Sequence, residues 1–317
     1  MLQFSPPKMP FDWNVSEALL HVGATLTSGQ SFRWRQDERE IWWGVVDACV
    51  LAVWQEQGIG DRGQGTEEKT GVFWQTFPEP NRSDIFADYF RLDVPLEALY
   101  QEWTEQEPEI EEATRAFRGM RLLRQPVREC FFGFQCATCN TVVKIERSVR
   151  ALAARYGDEI SLPFDAPFVL HQFPTVERLA TADEAVLRAD LWGYRAPRVI
   201  ALAQHILSRE PNWLASLRSR SYSEAHAELT ALHGIGAKIA DCICLFCLDK
   251  DAVTPVDTHI RQIAVRLFAP QLSGKSLTPK VYAEISEAFA SRFGAFAGWA
   301  QQYLFFAELR RATFFKK

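Results

Sequence analysis

The chain has 317 residues, enough for about two domains, and 47% of them are hydrophobic, enough to bury a sizeable core. No run approaches the roughly 18 apolar residues of a spanning helix, and the first residues, MLQFSPPKMPFDW, lack the apolar stretch of a signal peptide, so a soluble intracellular protein with no membrane partner is predicted. The net charge of −5 conceals 8 Lys+Arg against 21 Asp+Glu in residues 1–113, net −13, and 27 against 19 in residues 114–317, net +8; the second part admits a polyanion that the total would exclude.

The first hundred residues predict strands. Ser31-Phe32-Arg33-Trp34-Arg35 alternates, Ile41 to Val46 is β-branched and aromatic, and Val50 to Trp54 and Val72 to Phe77 are short apolar runs. Between the last two, Gln57 to Gly71 is a glycine-rich polar loop, predicted mobile and dispensable for chemistry. The acidic stretch Glu102 to Glu112 reads as a solvated helix end or connector. The fold class predicted is α+β: an N-terminal antiparallel-sheet domain with flanking helices over residues 1–113, then a mostly α-helical domain over 114–317.

From Ala113 onward the apolar period shifts towards 3.6. Val142, Ile145, Val149 and Leu152 line one face of a helix after Asn140, with Lys144, Arg147 and Arg150 elsewhere, and Arg115, Arg118 and Arg121 repeat at a spacing of three. Such basic stripes read equally as solvated surface or as a phosphate-binding face. Further helices are predicted at 175–190, 195–208, 222–232, 237–248, 257–268, 280–292 and 295–311. Seven cysteines, an odd number, argue against a secreted disulfide framework. The pairs Cys136/Cys139 and Cys244/Cys247 are too distant for a zinc ribbon and sit in apolar surroundings; they read as buried side chains, and no metal site is predicted.

Two features carry chemistry. His233-Gly234-Ile235-Gly236-Ala237-Lys238 joins two predicted helices, and the glycines allow φ > 0 and leave amides unobstructed for a phosphate oxygen at a helix N-terminus. Lys238 falls in the first turn of the second helix, where the helix dipole and apolar neighbours favour the free amine a nucleophile requires. Cys242, four residues on, shares its face. The plainer reading of Lys238 is a surface lysine contacting phosphate. Asp257, after Pro255-Val256 and before an amphipathic helix, reads first as an N-cap. Two helix N-termini, one with an amine and one with a carboxylate, would together suit attack on a sugar carbon bearing oxocarbenium character.

At Leu232-His-Gly-Ile-Gly-Ala-Lys238-Ile-Ala-Asp-Cys242 and Pro255-Val-Asp257-Thr-His259 the chain resembles the helix-hairpin-helix/Gly-Pro-Asp DNA glycosylases, and within them the 8-oxoguanine DNA glycosylases of the eukaryotic type. Ser28-Gly29-Gln30-Ser31-Phe32-Arg33-Trp34, Tyr89 to Val94, Arg121 to Gln125, Gly193-Tyr194-Arg195-Ala196 and Gly298-Trp299-Ala300-Gln301 follow in the family's order, so the likeness spans nearly the whole chain. The resemblance implies base-excision repair of 8-oxoguanine in duplex DNA with strand-nicking lyase activity. Lys238 would attack the anomeric carbon and form a Schiff base, and Asp257 would stabilise the developing charge. Gly29 would accept a hydrogen bond from the oxidised base, Cys242 and Phe305 would sandwich it, Gln301 would address its Watson–Crick edge and Pro255 would line the pocket. Asn140, Tyr194, Arg195, Gly234, Gly236 and His259 would meet the DNA. The resemblance further implies a monomer with no required cofactor and no iron–sulfur cluster, and it allows a structural alkali cation at the hairpin. The compartment would be the nucleoid of a prokaryote or the nucleus of a eukaryote.

The chain departs from the family where the far side of the DNA is read. Cys139-Asn140-Thr141 stands where the family has three asparagines, and Lys144 stands where it has an arginine that reads the orphaned cytosine. One flexible ammonium replaces a two-pronged fork, so weaker discrimination for cytosine is predicted. His233 replaces the proline usual before the hairpin. Two rival readings are a glycosylase for another oxidised or alkylated purine, and a non-catalytic DNA-binding module using the hairpin as a clamp.

Overall fold

A computed structural model describes residues 15–16, 19–57, 70–137 and 140–314; residues 58–69 of the glycine-rich loop, and Cys139, lie outside them. Strands β1 (Val15–Ser16), β2 (Arg35–Gln36), β3 (Trp42–Val46), β4 (Cys49–Gln57) and β5 (Thr70–Phe77) form one antiparallel sheet in the order β1-β5-β4-β3-β2. β3 and β4 pair Trp43 with Ala52 and Val45 with Val50, and β4 pairs Val53 with Trp74. Because side chains alternate along a strand, Leu51 and Val53 pack on one face with Trp34, Trp74, Phe86 and Phe90, while Val50, Ala52 and Trp54 pack on the other with Trp43 and Phe77. Helices α1 (Val22–Thr27) and α2 (Ser83–Tyr89) cover the first face. The second is covered by Ile160, Leu162, Phe164, Phe168 and Leu170, chain that belongs by sequence to the helical part.

The predicted strand at Ser31–Arg35 is corrected: only Arg35–Gln36 pairs, with Trp43 and Trp42. The residues before it cross from the sheet to the helices, and their partners lie in both. Phe32 joins the helical core, Arg33 forms a buried ion pair with Glu129, and Trp34 lies flat against Gly44, where any Cβ would come within 2.4 Å of the indole.

The remaining helices are α3 (Leu96–Gln106), α4 (Glu111–Ala116), α5 (Val127–Phe134), α6 (Val142–Tyr156), α7 (Val176–Ala180), α8 (Glu184–Leu187), α9 (Ala196–Leu207), α10 (Trp213–Ser216), α11 (Tyr222–Thr230), α12 (Ala237–Cys247), α13 (Thr258–Leu267), α14 (Pro279–Phe293) and α15 (Ala297–Phe314). The single helix predicted at 175–190 is two short ones and a π-helical turn (Arg188–Trp192), because Asp183 caps α8 by accepting from the amides of Ala185 and Val186. In the acidic stretch, Trp103 and Ile110 are buried, α3 packs on α14 and α4 on α15. The Arg115/Arg118/Arg121 repeat is no stripe. Arg115 and Arg118 form surface ion pairs with Glu111 and Glu97, whereas Arg121 is buried and donates to the carbonyls of Leu19, Arg91 and Val94. α6 follows its pattern, with Ile145, Val149 and Leu152 inside and Lys144 and Arg147 outside. Cys244 and Cys247 are buried in α12. No described helix is long and apolar enough to cross a membrane.

Candidate active site

α11 and α12 are joined by the hairpin His233-Gly234-Ile235-Gly236. Ile235 is buried and anchors the turn to the core while its neighbours stay exposed. Only Gly234 takes the left-handed conformation, at φ 85; Gly236 is extended at φ −88 and ψ 171, which corrects the expectation for the pair. Gly236 serves instead as the N-cap of α12. It offers no side chain to the first amides of the helix, and a Cβ there would meet nothing within 4 Å. Those amides are left to an outside acceptor. A residue the sequence did not single out sits beside them. Arg198 of α9 donates to the Gly234 carbonyl at 3.3 Å, and a Cβ on Gly234 would fall 2.3 Å from its Nε.

Lys238 in the first turn of α12 and Asp257 before α13 open on one cavity of about 50 Å³, lined also by Gly29, Cys242, Pro255, Gln301 and Phe305. All seven residues assigned from sequence to catalysis or the base pocket are therefore brought together. Phe134, Phe246, Ile260 and Gln302 complete the wall, and none of them carries a signal in the sequence beyond apolar periodicity or an ordinary amide. Phe134 and Phe246 stack with centroids 5.4 Å apart, and the Lys238 ammonium lies 5.8 Å from the Phe134 ring, so the amine stands over an aromatic floor. Asp257 does act as an N-cap: one carboxylate oxygen accepts from the Ile260 amide at 2.9 Å. That bond leaves its second oxygen for the cavity. Burial pushes the Cys242 thiol up to about 11, against the opposing pull of the Lys238 ammonium, so it stays a neutral wall at physiological pH.

Gly29 also needs its glycine, at φ 79, and a Cβ there would lie 3.8 Å from the Phe305 ring. The turn that presents it is held by buried amides. Gln302 donates to the Ser28 carbonyl at 2.8 Å, and Gln125 donates to the Gln30 carbonyl at 2.7 Å. Gln30 in turn donates to the carbonyls of Thr25 and Arg121 and accepts from the Leu123 amide at 2.8 Å. The motifs around Gln30 and Arg121 thus form one scaffold for Gly29. Gln301 is buried with its Oε1 unpartnered, and His259 meets Phe305 edge-on with centroids 6.0 Å apart.

Of the residues assigned to the DNA surface, Gly234 and Gly236 lie in the hairpin and His259 lies against Phe305, while the others lie elsewhere. Asn140 is half-buried before α6, Lys144 is exposed in its first turn, and Cys139 falls outside the described residues. Tyr194 is exposed, whereas Arg195 is buried, its guanidinium 4.4 Å from the Tyr194 ring. α6 packs against the π-helical turn that leads to them, and the Ser148 hydroxyl reaches the carbonyls of both Lys144 and Leu191. These residues form a surface apart from the cavity walls.

Comparison with known proteins places the fold and the family. Residues 13–131 match the family model for the 8-oxoguanine DNA glycosylase N-terminal domain, and residues 138–291 match the HhH-GPD superfamily of base excision DNA repair proteins. The N-glycosylase/DNA lyase OGG1 of Arabidopsis thaliana is 33% identical, with 94% of this chain and 80% of the relative covered. The solved structure of MBOgg1 in complex with a low affinity DNA ligand has a TM-score of 0.77 at 25% identity, covering 94% of both chains. The fold is also that of the Clostridium acetobutylicum 8-oxoguanine glycosylase/lyase bound to double-stranded DNA with cytosine opposite 8-oxoG, at a TM-score of 0.77, 24% identity and 94% coverage of both chains. With the two family models matching over residues 13–131 and 138–291, and a relative 33% identical over 94% of the chain, the chain belongs to the 8-oxoguanine N-glycosylase/DNA lyase family of DNA base-excision repair.

Proposed function

We propose that this chain excises 8-oxoguanine from duplex DNA through Lys238 and then nicks the strand by β-elimination. The observation that carries the assignment of roles is the single cavity shared by Lys238, Asp257 and the pocket residues. In this reading the neutral Lys238 amine attacks the anomeric carbon as the bond to the base breaks, and the Asp257 carboxylate offsets the positive charge on the sugar. Loss of the ring oxygen bond gives a Schiff base, whose neighbouring proton is acidic enough for elimination of the 3′ phosphate. The Gly29 carbonyl accepts the N–H found on the oxidised base and absent from guanine, and the free Oε1 of Gln301 answers its Watson–Crick edge. At about 50 Å³ the cavity holds only a few waters, so the half-buried Phe305 must shift to admit a purine.

The hairpin amides and Arg198 form the proposed grip on a backbone phosphate, which positions the strand without reading sequence. The Gly234 carbonyl accepts from the Arg198 guanidinium, whose positive charge disfavours an alkali cation on that oxygen. Borohydride reduction tests the mechanism. Duplex DNA carrying 8-oxoguanine opposite cytosine should yield a covalent adduct with the wild type, and Lys238→Gln should lose the adduct and slow base release by about a thousandfold or more. Base release without an adduct in the wild type would exclude the lysine route. Tight binding with neither outcome would establish a clamp.

A further inference from the structure

Tyr282 is not among the residues that line the cavity, yet its hydroxyl joins the two segments that supply the reacting groups. α12 carries Lys238 and, three residues on, Asp241, whose side chain is 1% exposed. Around that carboxylate, Tyr222 of α11 donates to Oδ1 at 2.8 Å, His226 Nε2 lies 3.5 Å from the same oxygen, and Tyr282 of α14 donates to Oδ2. The Tyr282 oxygen also accepts, from the Val256 amide at 3.1 Å. Val256 is buried between Pro255, a cavity wall, and Asp257. One turn further along α14, the Ser286 hydroxyl donates to the Thr254 carbonyl at 3.4 Å. α14 thus holds the Thr254–Val256 segment at two points and links the second of them to the helix of Lys238.

The chemistry of the bridge makes it stiff. A phenol has one proton, and here it is committed to Oδ2 of a buried carboxylate, which would lose that bond if the ring turned away. With the proton so committed, the oxygen faces the Val256 amide as an acceptor only. That amide is one residue before the Asp257 cap, so its position sets where the cap carboxylate stands relative to α12.

We infer that Tyr282 is a positioning residue for the reaction, fixing the Asp257 carboxylate against the Lys238 amine by bridging Asp241 and the Val256 amide. The inference rests on the roles proposed above for Lys238 and Asp257. Tyr282→Phe keeps the ring and deletes the bridge. Single-turnover base release, and borohydride trapping on a preformed abasic duplex, should each slow about tenfold, since small misplacements of reacting groups carry large rate penalties. Kd for a duplex with an uncleavable lesion should change less than about twofold, because the grip on DNA is untouched.

Stability and position are separated by adding Asp241→Asn. This second change removes the buried carboxylate whose Oδ2 has lost its donor, so the Tm lost in Tyr282→Phe should recover, but it cannot hold the Val256 amide, so the rates should stay low. Recovery of the rates together with Tm would overturn the positioning role, as would unchanged rates in Tyr282→Phe itself. Hydrogen exchange in residues 253–258 reads the bridge without any turnover. Tyr282→Phe should speed exchange there about tenfold while the interior of α12 stays protected, and unchanged exchange would overturn the inference. A wild type that neither releases base nor traps would instead sink the functional reading, with the exchange result still deciding whether the bridge exists.

Discussion

Asp257 shows how one side chain serves structure and chemistry together. Its carboxylate caps α13 through the Ile260 amide and opens on the cavity of Lys238. Asparagine caps a helix about as well as aspartate but carries no charge. Asp257→Asn should therefore leave Tm nearly unchanged and lower the single-turnover excision rate about a hundredfold, whereas Asp257→Ala should lose a further ~1 kcal/mol of stability with the cap. Equal excision by Asp257→Asn and the wild type would reduce the residue to a cap. At this scale the sequence was legible because Lys238, Asp257 and the glycines are tied to fixed positions along helix starts and turns. Phe134 and Phe246 were illegible for the opposite reason: an aromatic on an apolar face looks the same whether it packs a core or floors a cavity.

Among the elements, α6 and the turn before α9 carry the surface assigned to the strand opposite the lesion. Lys144 stands exposed in the first turn of α6, and the π-helical turn packs beside it, with Leu191 held at φ 72. An ammonium offers one loosely directed contact where a guanidinium offers two parallel ones. Excision rates opposite the four bases should thus differ only modestly in the wild type, and Lys144→Arg should raise the preference for cytosine by roughly tenfold, the value of a good bidentate contact. A wild-type cytosine preference of several hundredfold would contradict this. The pattern of α6 was readable because three turns of 3.6-residue spacing repeat its buried face. The break within 175–190 was not, because it turns on Asp183 accepting two backbone amides in place of solvent.

Over the whole molecule, the sheet domain and the last helix are locked by a charge buried between them. Asp251, after α12, takes both prongs of Arg91 at 2.5 and 2.8 Å and the Trp299 indole N–H at 2.9 Å. Gly298 makes the approach possible, since a Cβ there would stand 2.4 Å from both Leu245 and the Val253 carbonyl. Asp251→Ala strands the buried guanidinium, and urea unfolding should register a loss of about 3–5 kcal/mol; a loss below about 1 kcal/mol would show that solvent already screens the pair.

The sequence by itself determined the class of fold, the two helix starts that bear the amine and the carboxylate, and the order of the motifs, because each is written in local spacing. Only the tertiary structure decided that residues 160–170 cover the sheet, that Arg121 is a buried clamp, and that Tyr282 joins Asp241 to the segment before Asp257. Those contacts pair residues as near as Val256 and Tyr282, 26 positions apart, and as far as Trp43 and Phe164, 121 positions apart, and no periodicity along a chain encodes which face will meet which.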